Sequence, residues 1–88
     1  MTLHFTEDAW ADYLYWQQND KAVLKRINTL IKDMQRNPFE GIGKPEPLRH
    51  SLSGYYSRRI TQEHRIVYRA DDSGIWLIAL RFHYSESD

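Results

Sequence analysis

Apolar residues recur at steps of three and four along Val23, Leu24, Ile27, Leu30, Ile31 and Met34, and the pattern stops at Pro38. That spacing is the signature of an amphipathic helix with one buried stripe. Lys21, Lys25, Arg26, Lys32 and Arg36 decorate its remaining surface. Such a helix must lay its stripe on another layer, which rules out an isolated or purely solvated role. Pro38 ends it, because the residue before a proline is pushed out of the α region. Upstream, Leu3-His4-Phe5 reads as a short opening strand, and Thr6 suits a helix N-cap. Glu7 and Asp8 fall in the first turn, where the helix dipole favours anions. Phe5 and Trp10 hold the two positions of a hydrophobic staple, and Trp10, Tyr13, Leu14 and Gln17 continue at helical spacing to about Gln18. Asn19-Asp20 breaks this first helix, and Asp20 can cap the second. So short a link predicts an antiparallel helix hairpin.

The remainder of the chain changes period. Glu40 to Ser53 is a loop punctuated by Gly41, Gly43, Pro45 and Pro47, with Gly54 at its exit. Three strands are predicted after it, over Tyr55–Ile60, Arg65–Ala70 and Ile75–Tyr84, with Asp71-Asp72-Ser73-Gly74 as a turn. The third is the most apolar and is expected at the centre. The order β-α-α-β-β-β predicts an α+β domain. An N-terminal strand and helix hairpin would pack on one face of a mainly antiparallel sheet. Residues 1–84 read as a single domain and residues 85–88 as a polar C-terminal tail.

Composition narrows the function classes. A chain of 88 residues buries only about 60–65% of its unfolded surface, so it supports one modest core. It has no cysteine, which excludes a disulfide framework and thiolate metal sites. No apolar run approaches the roughly 20 residues needed to span a bilayer, and no basic-then-apolar leader opens the chain, so a soluble, cytoplasmic protein without a membrane partner is expected. Net charge is zero, but it is unevenly spread. Residues 44–69 carry six basic side chains and two acidic ones, whereas residues 70–88 carry one basic and four acidic. A locally positive segment of this kind suits a polyanion, and equally a solvated polar face.

The candidate chemistry sits in and beyond that segment. Glu46 stands between Pro45 and Pro47, which stiffen the backbone presenting its carboxylate. Arg59 and Arg65 offer planar donors that match two phosphate oxygens, and Lys44, Arg49 and Arg58 could contact flanking phosphates. His83 follows at the predicted end of the last strand, where an imidazole can deliver a proton near neutral pH. Tyr55, Tyr56 and Tyr84 could stack bases. Strand alternation would place Arg59, Arg65, Arg81 and His83 on the sheet face away from the helices. This is an inventory for cutting RNA without a metal: one group to take the 2′-hydroxyl proton, cations to hold the phosphorane charge, one group to protonate the leaving oxygen. Taken singly, each has an ordinary explanation, such as an exposed glutamate in a proline turn or a hydrogen-bonded strand-end histidine. The four histidines are scattered and the carboxylates unclustered, so no metal site and no cofactor are expected.

Several of these segments together resemble a known family. The run Pro38-Phe39-Glu40-Gly41-Ile42-Gly43-Lys44-Pro45-Glu46-Pro47-Leu48 is similar to the loop of YoeB toxins, within the RelE-like superfamily. So are Leu52 to Ile60, Glu63 to Tyr68, the terminal Arg81-Phe82-His83-Tyr84, and the helical Asp12-Tyr13-Leu14-Tyr15-Trp16. The similarity spans residues 1–84. It implies a RelE-like fold and the toxin of a type II toxin–antitoxin pair, held inactive by a YefM-like antitoxin. Such a toxin enters the ribosomal A site and cleaves messenger RNA there, halting translation. Carried over by position, Glu46 is the general base, His83 the general acid and Arg65 the transition-state clamp. Arg59 and Lys44 or Arg49 assist with phosphate, and Tyr84 helps position the substrate. The resemblance also admits a homodimer. Two other functions fit the same scaffold: a ParE-like toxin that inhibits DNA gyrase, and a non-catalytic ribosome- or RNA-binding module.

Overall fold

The computed structural model describes residues 1–82. The two helices form where the periodicity places them, α1 over Glu7–Asn19 and α2 over Lys21–Arg36. The Thr6 hydroxyl accepts from the Ala9 N–H at 3.1 Å, and Phe5 meets Trp10 edge-on with ring centroids 5.4 Å apart, so cap and staple both form. One residue, Asp20, makes the hairpin turn. Its backbone N–H donates to Trp16 O at the end of α1, while its carboxylate accepts from Ala22 and Val23 at the start of α2. Replacing Asp20 with alanine is expected to cost about 1 kcal/mol, the usual loss of an N-cap, measurable as a lower urea midpoint with an unchanged slope.

Five strands form one sheet: β1 Leu3–Phe5, β2 Glu46–Pro47, β3 Tyr56–Arg59, β4 Arg65–Asp71 and β5 Gly74–Ala79. Their spatial order is β1-β5-β4-β3-β2, with β1 parallel to β5 and every other pair antiparallel. The helix hairpin covers one face. Ile27, Leu30, Ile31 and Met34 of α2 and Ala9 and Trp16 of α1 pack against Ile60, Ile66, Tyr68, Ile75, Leu77 and Leu80. No helix among the described residues is long and apolar enough to cross a membrane.

Three features depart from the sequence reading. The predicted loop contains β2, a two-residue edge strand on β3, and a 3-10 turn over His50–Leu52. Gly43 O accepts from Arg59 N at 2.7 Å and Leu48 N donates to Tyr55 O at 2.9 Å, so the whole stretch follows the edge of β3. The last strand stops at Ala79 instead of reaching Tyr84. After a bulge opposite Val67/Tyr68, α1 captures both backbone groups of Leu80. Its N–H donates to Asp12 Oδ2 and its carbonyl accepts from Trp16 Nε1, each at 2.9 Å. Finally, the middle position of the sheet belongs to β4, and β5 lies between β4 and β1.

Candidate active site

The register decides which side chains share the open face. Residues directly opposite in a ladder point to the same side. Arg58 on β3 points into the helix-covered side, where its side chain is fully buried. Its neighbours Ser57 and Arg59 therefore point to the open side. Glu46 pairs with Ser57 and Arg65 pairs with Arg59, so Glu46, Arg59 and Arg65 lie on one face. Glu46 and Arg59 are diagonal neighbours across β2 and β3, about 7–8 Å apart between backbones.

Arg59 and Arg65 sit directly opposite one another. Like charges in that position repel. Among the described residues Arg58 pairs with Asp33 and Arg69 with Asp71, and His64 lies 3.8 Å from Glu63, so neither Arg59 nor Arg65 has a carboxylate partner there. Arg65 is held by the β3–β4 turn instead: its NH1 donates to the carbonyls of Thr61, Gln62 and His64 at 2.9, 3.0 and 3.2 Å. That anchoring pre-orders the guanidinium. Lys44 and Arg49 are exposed along the same edge loop, Lys44 with a left-handed φ of 52° between Gly43 and Pro45.

Arg58 is a correction. It was expected among the phosphate-contacting cations, but it has no exposed surface. Its Nε donates to the Tyr68 hydroxyl at 3.1 Å, NH1 to Asp33 Oδ2 at 2.7 Å and to Ile42 O at 3.2 Å, and NH2 to the carbonyls of Asn37 and Glu40 at 2.7 and 2.9 Å. It ties the loop after α2 to the sheet, and so positions the segment that leads to Lys44 and Glu46. The Asp33 carboxyl is held below its ordinary range, first by the hydrogen bond from Arg58 and then by that from the Ile42 N–H. Tyr68, which also donates to Pro38 O at 2.6 Å, is pushed up mainly by burial. Gly41 lies so close to Asp33 Oδ2 that a methyl group there would overlap it, and its φ is 125°. The sequence held a usable signal: Arg58 shares its strand face with Tyr56 and Ile60, and a charge on an apolar face demands a buried partner. Nothing in the sequence named Asp33 as that partner.

Tyr56 belongs to the same side, packed on Phe39 and Tyr68 at 5.0 and 6.0 Å, so it serves the core and not base stacking. Arg81 also leaves the predicted basic face: its guanidinium lies 3.7 Å from the ring centroid of Tyr15 on α1. The strand ends before Arg81, so strand alternation does not govern it. His83, Tyr84 and the 85–88 tail lie outside the described residues.

This architecture is that of the small α+β toxins. The YoeB/ParE toxin from Agrobacterium tumefaciens superposes with a TM-score of 0.92 at 50% identity, covering 96% of this chain and 100% of that one. The toxin of Staphylococcus aureus aligns both as a YoeB–YefM complex (TM-score 0.87, 49% identity) and as a YoeB dimer (0.89, 50%), each covering 96% of this chain and 98% of the other. Toxin YoeB of Synechocystis is 61% identical over 84 residues, 96% of this chain and 98% of the relative. Residues 5–84 match the family model for the YoeB-like toxin of bacterial type II toxin–antitoxin systems. The chain belongs to that family.

Proposed function

We propose that this toxin is a metal-independent endoribonuclease that acts in the cytoplasm, cutting messenger RNA in the A site of the ribosome and so stopping translation. The observation that carries the reading is the Arg59–Arg65 pair, two cations opposed without a carboxylate partner among the described residues, on the face that also presents Glu46. An RNA phosphate placed between them converts their repulsion into paired, charge-assisted hydrogen bonds. Glu46 takes the 2′-hydroxyl proton as the oxygen attacks phosphorus, Arg65 holds the charge that grows on the phosphoryl oxygens, and His83 protonates the departing 5′-oxygen. The products are a 2′,3′-cyclic phosphate and a 5′-hydroxyl. Lys44, Arg49 and Arg59 hold flanking phosphates and Tyr84 positions the substrate. A YefM-like antitoxin is the inhibitory partner, and pairing of two copies is the proposed oligomeric state. The S. aureus toxin, solved both with YefM and as a dimer, supports these two readings.

The test is primer-extension mapping of a messenger RNA during in vitro translation. New 5′ ends are expected at A-site codons with wild-type protein, only when ribosomes are present, and not with His83→Ala. A folded wild-type protein that leaves the message intact but blocks gyrase supercoiling would replace this reading with the ParE-like one.

A further inference from the structure

Phe82 is the last described residue, and the next peptide bond leads to His83. Its φ is 58°, a left-handed conformation that residues with a side chain rarely adopt. Two consecutive residues, His64 just before β4 and Arg65 at its start, hold it there. The Phe82 N–H donates to His64 Nδ1 at 2.7 Å, and the Phe82 carbonyl accepts from Arg65 N at 2.8 Å. The His64 ring is wedged edge-on against Trp16 at 4.8 Å and beside the Phe82 ring at 5.2 Å. Its side chain is 14% exposed, and its Nε2 lies 3.8 Å from Glu63 Oε1. A backbone N–H can only donate, so Nδ1 must carry no proton, which leaves the ring hydrogen on Nε2 facing Glu63.

We infer that His64 is a positioning residue for RNA cleavage: as a neutral acceptor it pins the strained peptide of Phe82, the residue that immediately precedes His83 in sequence, beside Arg65. The inference rests on the proposed roles of those two residues. Arg65 contributes to the arrangement twice, through its backbone N–H to Phe82 and through its guanidinium, which is tied to Thr61, Gln62 and His64 itself. Arg65 and Phe82 thus share one corner of the sheet. A side chain with an acceptor at the reach of Nδ1 satisfies the Phe82 N–H, and the Oδ1 of an uncharged asparagine offers one.

The test compares wild type, His64→Leu and His64→Asn in full-length protein. In the ribosome-dependent cleavage assay, His64→Leu is expected to lose about 10²-fold in kcat, as misplacement of a reacting group does. KM should stay within about 2-fold, because binding contacts are untouched. His64→Asn should recover most of the lost kcat although it packs worse. A leucine variant with wild-type kcat, or a loss that asparagine does not relieve, overturns the inference. NMR supplies a readout independent of activity. Exchange of the Phe82 amide should accelerate in His64→Leu and slow again in His64→Asn, and unchanged exchange overturns the inference. Should the wild-type protein cleave nothing, the nuclease reading falls with the catalytic role of His64, while the amide exchange still decides whether the hydrogen bond holds the segment.

Discussion

Asp33→Ala is expected to lower the unfolding free energy by about 3 kcal/mol, the low end for breaking a buried ion pair, because Arg58 is fully buried while Asp33 is part-exposed. Typical domains have only about 5–15 kcal/mol in total, so the variant should be marginal at room temperature. The cause is the charge left behind. Arg58 has no exposed surface, and its remaining partners are a phenol and three backbone carbonyls, none of which is anionic. The substitution also releases the Ile42 N–H, which donates to Asp33 Oδ2 at 3.0 Å. Urea unfolding followed by tryptophan fluorescence measures the loss, and an unchanged midpoint would remove Arg58–Asp33 as a keystone of the fold. Acid supplies a second reading. The folded-state pKa of Asp33 is depressed, so the unfolded chain binds its proton first on acidification. Its contribution is full above the unfolded carboxylate pKa of about 3.9 and is lost as pH falls through the lower folded value. Asp71 is held at about 2, first by the Ser73 hydroxyl, and adds to acid sensitivity in the same direction. Asp33→Asn isolates the Asp33 share: its midpoint should fall less than that of wild type between about pH 5 and pH 3.

Glu46→Gln should leave the fold intact and reduce RNA cleavage by about 10²–10⁴-fold, the range for losing a general base. Glu46 is exposed, and its edge strand is held through the backbone by β3, so the amide replaces the carboxylate with little structural cost. What disappears is the proton acceptor on the face shared with Arg59 and Arg65. Arg65→Ala should lose about 10²–10³-fold, as for a preorganised charge stabiliser. Arg59→Ala should weaken binding more than chemistry, because Arg59 is exposed and lacks the threefold carbonyl anchor of Arg65. Single-turnover cleavage on programmed ribosomes separates these effects. A Glu46→Gln protein with wild-type turnover would remove Glu46 from the chemistry.

Helix boundaries, the Asp20 turn and the meander were legible because they depend on local rules: caps, the proline stop, and periods of 3.6 and 2. The shared face of Arg59 and Arg65 was legible from strand alternation, but Glu46 joins them only through β2, which carries no strand pattern of its own. Glu46 and Pro47, preceded by a second proline, become a strand only because β3 offers an open edge. The early end of β5 was hidden for a related reason. Ile78, Ala79 and Leu80 read as continuous strand, and what diverts them is a carboxylate and an indole from α1, 68 and 64 residues away in sequence. Arg58 shows the limit most plainly. Arg58 is a core residue one position from the exposed Arg59, and only the helix layer above it makes the difference.

The pairing of β1 with β5 has a temporal side. The first strand of the chain finds its sheet neighbour only in the last, with Leu3 opposite Ile75 and Phe5 opposite Leu77. During synthesis the helix hairpin can form early from local contacts, but its apolar stripe and the opening strand must wait for the C-terminal third to emerge. Arg65 lies in that same C-terminal third. The sheet face shared by Glu46, Arg59 and Arg65 therefore cannot be assembled before β4 has emerged.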